Sequence, residues 1–248
     1  MAFGTVGSIG TVNHNSAANT LALVTSAAVE VGNVAAVIYA GDNLGSGADN
    51  VDANEVTSVT DTRGNTWAKL KETSNNNAGA GNGATVSVWY TTVATQIQIG
   101  DSITFNLSGN VTAKAASGWE FTKGAGTTLA IEQTNSEVGD AVDPGVISLS
   151  AMTSREYLIL WGFSGEQTNA GTFTNDADYT GFTRNAAGTG SAAIVVWGGF
   201  RIATLTGDTV DAATGTDRDY AQVLGALYEV TAGNVPVSMH QRMVQGMS

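Results

Sequence analysis

Two glutamates stand at matching places in two similar stretches of this chain. Glu120 lies near the end of 81–122, and Glu229 near the end of 188–231. Two carboxylates flanking a glycosidic bond are the minimal equipment for glycoside hydrolysis, one as acid and the other as base or nucleophile. Each, however, falls on the polar face of an alternating strand pattern, where solvated acids are expected. Nucleophilic catalysis needs a base beside the nucleophile. The two histidines, His14 and His240, lie one in each terminal segment, and no Gly-x-Ser-x-Gly elbow occurs. Thr153-Ser154-Arg155 and Phe163-Ser164-Gly165 read as ordinary turns. Three acid groups offer the oxygen ligands that Ca²⁺ prefers: Asp42, Asp49, Asp52 and Glu55; Asp176 and Asp178; Asp208, Asp211, Asp217 and Asp219. None follows the EF-hand pattern, and solvated loop acids are the expectation. The run Gly79-Ala80-Gly81-Asn82-Gly83 precedes a strand and lacks the Gly-Lys-Ser/Thr of a phosphate loop. Trp67, Trp89, Trp119, Trp161 and Trp197 could stack on a sugar, but each sits inside a strand pattern, so core filling is expected. With no cysteine, disulfides and thiolate metal sites are excluded. The sequence therefore designates no catalytic, cofactor or metal residue, and no enzyme is expected.

The elements that would position these residues come in two copies. Both stretches carry Gly-x-Gly, an apolar run ending in Trp89 or Trp197, then Gly100-Asp101 or Gly207-Asp208, then a closing alternating strand. Period-two segments recur throughout, with no sustained helical period. In the first copy 21–25 and 34–40 are short apolar runs. Residues 56–60 lead into the turn Asp61-Thr62-Arg63-Gly64-Asn65, and 66–71 return. In the second copy 146–150, 156–162, 193–202 and 221–230 follow the same order. In the closing strand of the first copy, Lys114 and Glu120 face away from the apolar side.

The expectation is an all-β, jelly-roll-like β-sandwich built from two pseudo-repeated halves, 20–122 and 145–231, with their strands interleaved. Two separate small sandwiches are the alternative. Two prolines and no linker-like shift in composition speak against it. Residues 1–19 read as an N-terminal arm and 232–248 as a C-terminal tail with three methionines; such segments fray or dock on a neighbouring subunit. The stretches 41–54 and 73–83 read as long surface loops, where binding usually sits.

The formal charge is −12, from 22 acids and 10 scattered bases. Nucleic acid is not an expected partner, because displacing its counterions takes clustered Lys and Arg. The first ten residues, MAFGTVGSIG, show neither a basic n-region nor a long apolar stretch, so neither a signal peptide nor a membrane anchor is expected.

Val59-Thr60-Asp61-Thr62-Arg63-Gly64-Asn65-Thr66-Trp67 resembles the V-T-D-S-x-G-N-T-Y/W signature of a β-sandwich family found in tailed-phage virion proteins and large bacterial surface proteins. Residues 86–91 are similar to that family's xxIYYAKN strand, and 100–108 to its GxxTVTVTFS strand. Trp119-Glu120-Phe121 stands at its xxEYSG strand end, and 221–230 resembles its closing xxxxLVAFxx strand. The resemblance covers roughly 20–231 and brings no catalytic residues. It implies a virion structural protein made in the host cytoplasm, a capsid decoration (cement) protein on the capsid surface. The implied partners are the major capsid protein and copies of the chain itself, as a homotrimer, without membrane insertion. The alternative it implies is a tail-fibre, tail-tip or adhesin-type module that grips a cell-surface glycan through the two long loops.

Overall fold

A computed structural model of the chain describes residues 3–43, 48–50, 54–75, 83–141, 143–167, 172–189, 193–215 and 218–231. The protein is all-β. The first half holds β1 (Gly4–His14), β2 (Ala18–Val24), β3 (Val34–Asp42), β4 (Val56–Asp61), β5 (Ala68–Asn75), β6 (Ala84–Thr92), β7 (Ser102–Val111) and β8 (Lys114–Thr122). The second holds β9 (Thr127–Ala141), β10 (Ile147–Leu149), β11 (Arg155–Gly165), β12 (Thr180–Gly181), β13 (Asn185–Ala187), β14 (Ile194–Leu205), β15 (Asp208–Val210) and β16 (Arg218–Thr231).

The strands stack as four layers. A small sheet β2-β7-β4 covers one face of β1-β8-β3-β6-β5. The other large sheet, β12-β14-β11-β16-β9 with β13 also on β14, is covered by β10-β15. The two large sheets pack against each other. The sequence duplication reappears as topology: β9, β16, β11, β14 and β13 lie in the order of β1, β8, β3, β6 and β5. An isolated bridge, Thr174 to Ala213, stands where β4 meets β7 in the first half.

Alternation along the central strands explains the layering. In β3, Val34, Ala36, Ile38 and Ala40 face the other half, while Ala35, Val37 and Tyr39 face the small sheet. In β11, Leu158 and Leu160 face the first half; Tyr157, Ile159, Trp161 and Phe163 fill the core under β10-β15. A strand buried on both faces reads as a continuous apolar run, and residues 34–40 and 157–163 do so.

The expected interleaving does not occur. Every ladder pairs strands of one half, and the halves meet by packing. The reason lies in chain reach: a ladder within one half closes a shorter loop of chain than one between the halves. Within the first half, β1 pairs with β8, β2 with β7 and β3 with β6, nested as in a jelly roll. A full jelly roll would also pair β4 with β5; instead β5 pairs with β6.

Most of the expected arm is a strand. β1 runs along β8 with two register shifts, and Ile9 is buried in the outer core. It also ties the halves together. Phe3 N donates to Glu156 Oε1 at 2.7 Å, and Asn13 Nδ2 donates to Ala186 O at 2.7 Å. The expected tail, 232–248, lies outside the described residues.

Three glycines of the second half, Gly162, Gly198 and Gly225, set how closely the halves approach; a Cβ on Gly225 would lie 2.7 Å from Leu70 Cδ2. A Cβ on Gly162 would lie 2.6 Å from Val88 Cγ2; one on Gly198 would lie 2.5 Å from Ile38 Cδ1 and 2.4 Å from the Trp161 carbonyl oxygen. The second contact is with backbone and cannot be relieved by a rotamer change. Gly198→Ala should therefore destabilise the protein by about 1–3 kcal/mol. A urea titration checks this, with the further expectation that both halves unfold in one transition because they share a core. Two separate transitions would show that each half stands alone.

Candidate functional site

The signature turn is a structural clasp. Asp61 ends β4, and its Oδ1 accepts from Arg63 N at 2.8 Å and from Asn65 Nδ2 at 3.2 Å; its Oδ2 accepts from Trp67 Nε1 at 2.7 Å. Gly64 supplies the φ of 75° that lets the chain reverse. Asn65, itself buried, carries the clasp to the neighbouring loop: Oδ1 accepts from Ala94 N and Thr95 N at 2.8 and 2.9 Å, and Nδ2 donates to Thr95 O at 2.9 Å. Asp, Gly, Asn and Trp are thus each needed for a bond or a backbone angle.

The duplicated Gly-Asp pair holds an arginine in both halves. Arg63 Nε donates to Asp101 Oδ2 at 2.6 Å, and Arg201 Nη1 donates to Asp208 Oδ1 at 2.6 Å. The Arg63 hydrogen bond and the amide of Gln98 hold the Asp101 carboxyl below the usual carboxylate range. Asp208 is buried and also accepts from Tyr179 Oη at 2.7 Å. Burial first, and then the Asp208 charge, pushes the Tyr179 hydroxyl far up.

The two glutamates hold different turns. Glu120 is 3% exposed, not solvated, and its Oε1 accepts from Glu30 N at 2.8 Å and Asn33 Nδ2 at 2.7 Å. Glu229 accepts from Gly124 N at the β8–β9 turn. Lys114 is buried as well, with Nζ 2.5 Å from Val111 O and 3.0 Å from Ser16 O, and burial lowers its pKa. Glu120 and Lys114, expected to face solvent, are instead buried against the main-chain groups that they bind.

The other candidates are placed as follows. His14 is exposed and its ring meets only the main chain of Ser16 among the described residues, while His240 lies outside them. Ser164, expected in a turn, is buried within β11. Trp67, Trp89, Trp161 and Trp197 are buried, and Trp119 stacks on Phe182 in the central core. Two acid groups that are separate in sequence meet in space: Asp176 Oδ2 accepts from Asp211 N, and Arg201 bridges Asp178 and Asp208. Asp42 and Asp219 are buried, and Asp52 and Asp217 lie outside the described residues. Among the described residues no cluster of three or more possible metal ligands forms. Of the run 79–83, only Gly83 is described.

One open groove, of about 390 Å³, runs along β5, lined by Asn50, Glu55 and residues 69–74. Asn50 folds back onto β5: its N donates to Ser74 O at 2.8 Å and its Oδ1 accepts from Thr73 Oγ1 at 2.5 Å. Lys69 pairs with Glu72 at 3.0 Å and lies over the Trp89 ring. Lys71 stands beside them. Sequence reading placed both lysines in a returning strand and passed over them. Two lysines two residues apart, in so acidic a chain, were the available signal.

No protein-family model, curated protein or solved structure matches the chain.

The clasp and the Gly-Asp pair give two checks. Asp61→Ala removes a carboxylate with several donors and should cost about 2–3 kcal/mol in a denaturant titration. Asp101 has a depressed pKa in the folded state, so its contribution is present above the unfolded carboxylate pKa and lost as pH falls through the folded one. The stability gap between the native chain and Asp101→Asn should therefore shrink as pH drops below about 4, followed by thermal melts across that range.

Proposed function

We propose that the chain is a structural protein of a tailed-phage virion, a decoration protein that sits on the capsid surface and bridges capsid subunits. The observation that carries this reading is how its polar chemistry is spent. Asp61, Asp101, Glu120, Asp208 and Glu229 each hold a turn or an arginine, in a body whose two halves share one core. Such a body resists deformation, which is what a clamp on a pressurised shell must do. The resemblance of 59–67 to the phage and surface-protein signature points the same way. Binding would come from area and repetition over a symmetric lattice, with the major capsid protein and further copies as partners, in a homotrimer. With 4–14 built into a sheet, this reading assigns neighbour contacts to the tail, 232–248.

A second reading, a glycan-binding module of a tail fibre, tail tip or adhesin, is favoured by the β5 groove. Asn50, Thr73 and Ser74, from the two stretches expected to be long surface loops, line it.

Gold-labelled antibody on purified particles separates the two. Label spread over icosahedral heads supports decoration, and label confined to tail tips supports the glycan reading. A chain ending at Thr231 should keep its melting temperature within about 3 °C while losing attachment to heads. Undiminished attachment would remove the tail from the mechanism.

A further inference from the structure

Lys71 is the one described basic side chain with no hydrogen bond, ion pair or ring contact. The other arginines and lysines whose side chains are described rest on carboxylates, aromatic rings or main-chain carbonyls. In the lining of the same groove, the Glu55 carboxylate is exposed and likewise has no partner among the described residues. Asn50 and Ser74 line the groove with these two charges. Leu70, the only apolar residue among the described lining residues, packs into the central core.

We propose that this groove binds a carboxylate-bearing sugar unit of an acidic glycan. This rests on the glycan reading above and names its ligand class. The ligand's carboxylate lies on Lys71 Nζ, a charge-assisted bond, and its hydroxyls donate to Glu55. An acidic peptide fits less well. It brings few hydroxyls for the Glu55 acceptor and meets a single apolar side chain, Leu70, among the described lining residues. The volume, about 390 Å³, lies in the range of small-ligand sites.

Calorimetry on the full chain tests this with three probes: a tetramer of galacturonate, the matching neutral tetramer of galactose, and tetraglutamate. The expected result is that galacturonate binds about tenfold more tightly than galactose. Lys71→Gln erases that difference, and Lys71→Arg keeps it. Glu55→Gln weakens both sugars. Lys71 and Glu55 are not core residues, and an unchanged melting temperature confirms that the variants are folded. Equal binding of both sugars, unmoved by Lys71→Gln, overturns the acidic assignment and leaves the glycan reading standing. Binding of neither sugar overturns both. Tighter binding of tetraglutamate makes the groove a peptide site and overturns the proposal.

Discussion

The close approach of two sheets, each covered on its other face, governs this molecule. At Gly162 and Gly198 the second half has no side chain, and Val88 and Ile38 of the first half fill the space. Elsewhere in the same core the filling is aromatic: Trp119 and Phe121 of the first half meet Phe182 and Phe200 of the second. Small residues opposite branched ones and rings opposite rings give an interlocked seam at interior density. Among the described residues no backbone ladder crosses that seam. The union of the halves therefore depends on packing, on β1 reaching over to Glu156 and Ala186, and on Asn75 donating to Gly139 O.

Because the central strands of both large sheets are covered on both faces, their polar side chains have no water to fall back on. Burying such groups costs free energy unless each finds a partner. Gln222 is 1% exposed; it accepts from Trp161 Nε1 and donates to Glu137 Oε2 and Gly145 O. Glu120 and Lys114 are bound inside in the same manner. The acids that sequence pattern offers as a catalytic pair are thus committed to turns at separate places in the fold.

Alternation and repetition made the strands and the duplication legible, because both are local. The Asp61 turn was legible too, since Asp, Gly and Asn each answer a geometric need there. Partner choice was not. Period-two pattern tells which residues share a face, but not which strand lies alongside or what covers the opposite face. That gap misplaced Glu120 and Lys114 at the surface and interleaved two halves that pair separately. The segment 4–14 looked like an arm because its glycines dilute the strand pattern. Those glycines serve the strand's irregularities: Gly10 adopts a φ of 137° at a register shift along β8.

The copies agree where the body must close and differ where a ligand would sit. Both halves keep a Gly-Asp pair that holds an arginine, although the arginine comes from the β4–β5 turn in one and from β14 in the other. Both anchor the equivalent tryptophan indole on a side-chain oxygen, Trp89 on Ser87 and Trp197 on Asn175. The strand that forms the groove is not kept. β5 has eight residues and carries Lys69 and Lys71, whereas its counterpart β13 has three and carries neither. A contact needed only to close a sandwich is retained in each copy because each must close. A feature present in one copy is free of that requirement, and its residues answer to something outside the body. By that logic the edge of β5, more than any acid in the repeat, is where the proposed ligand would sit.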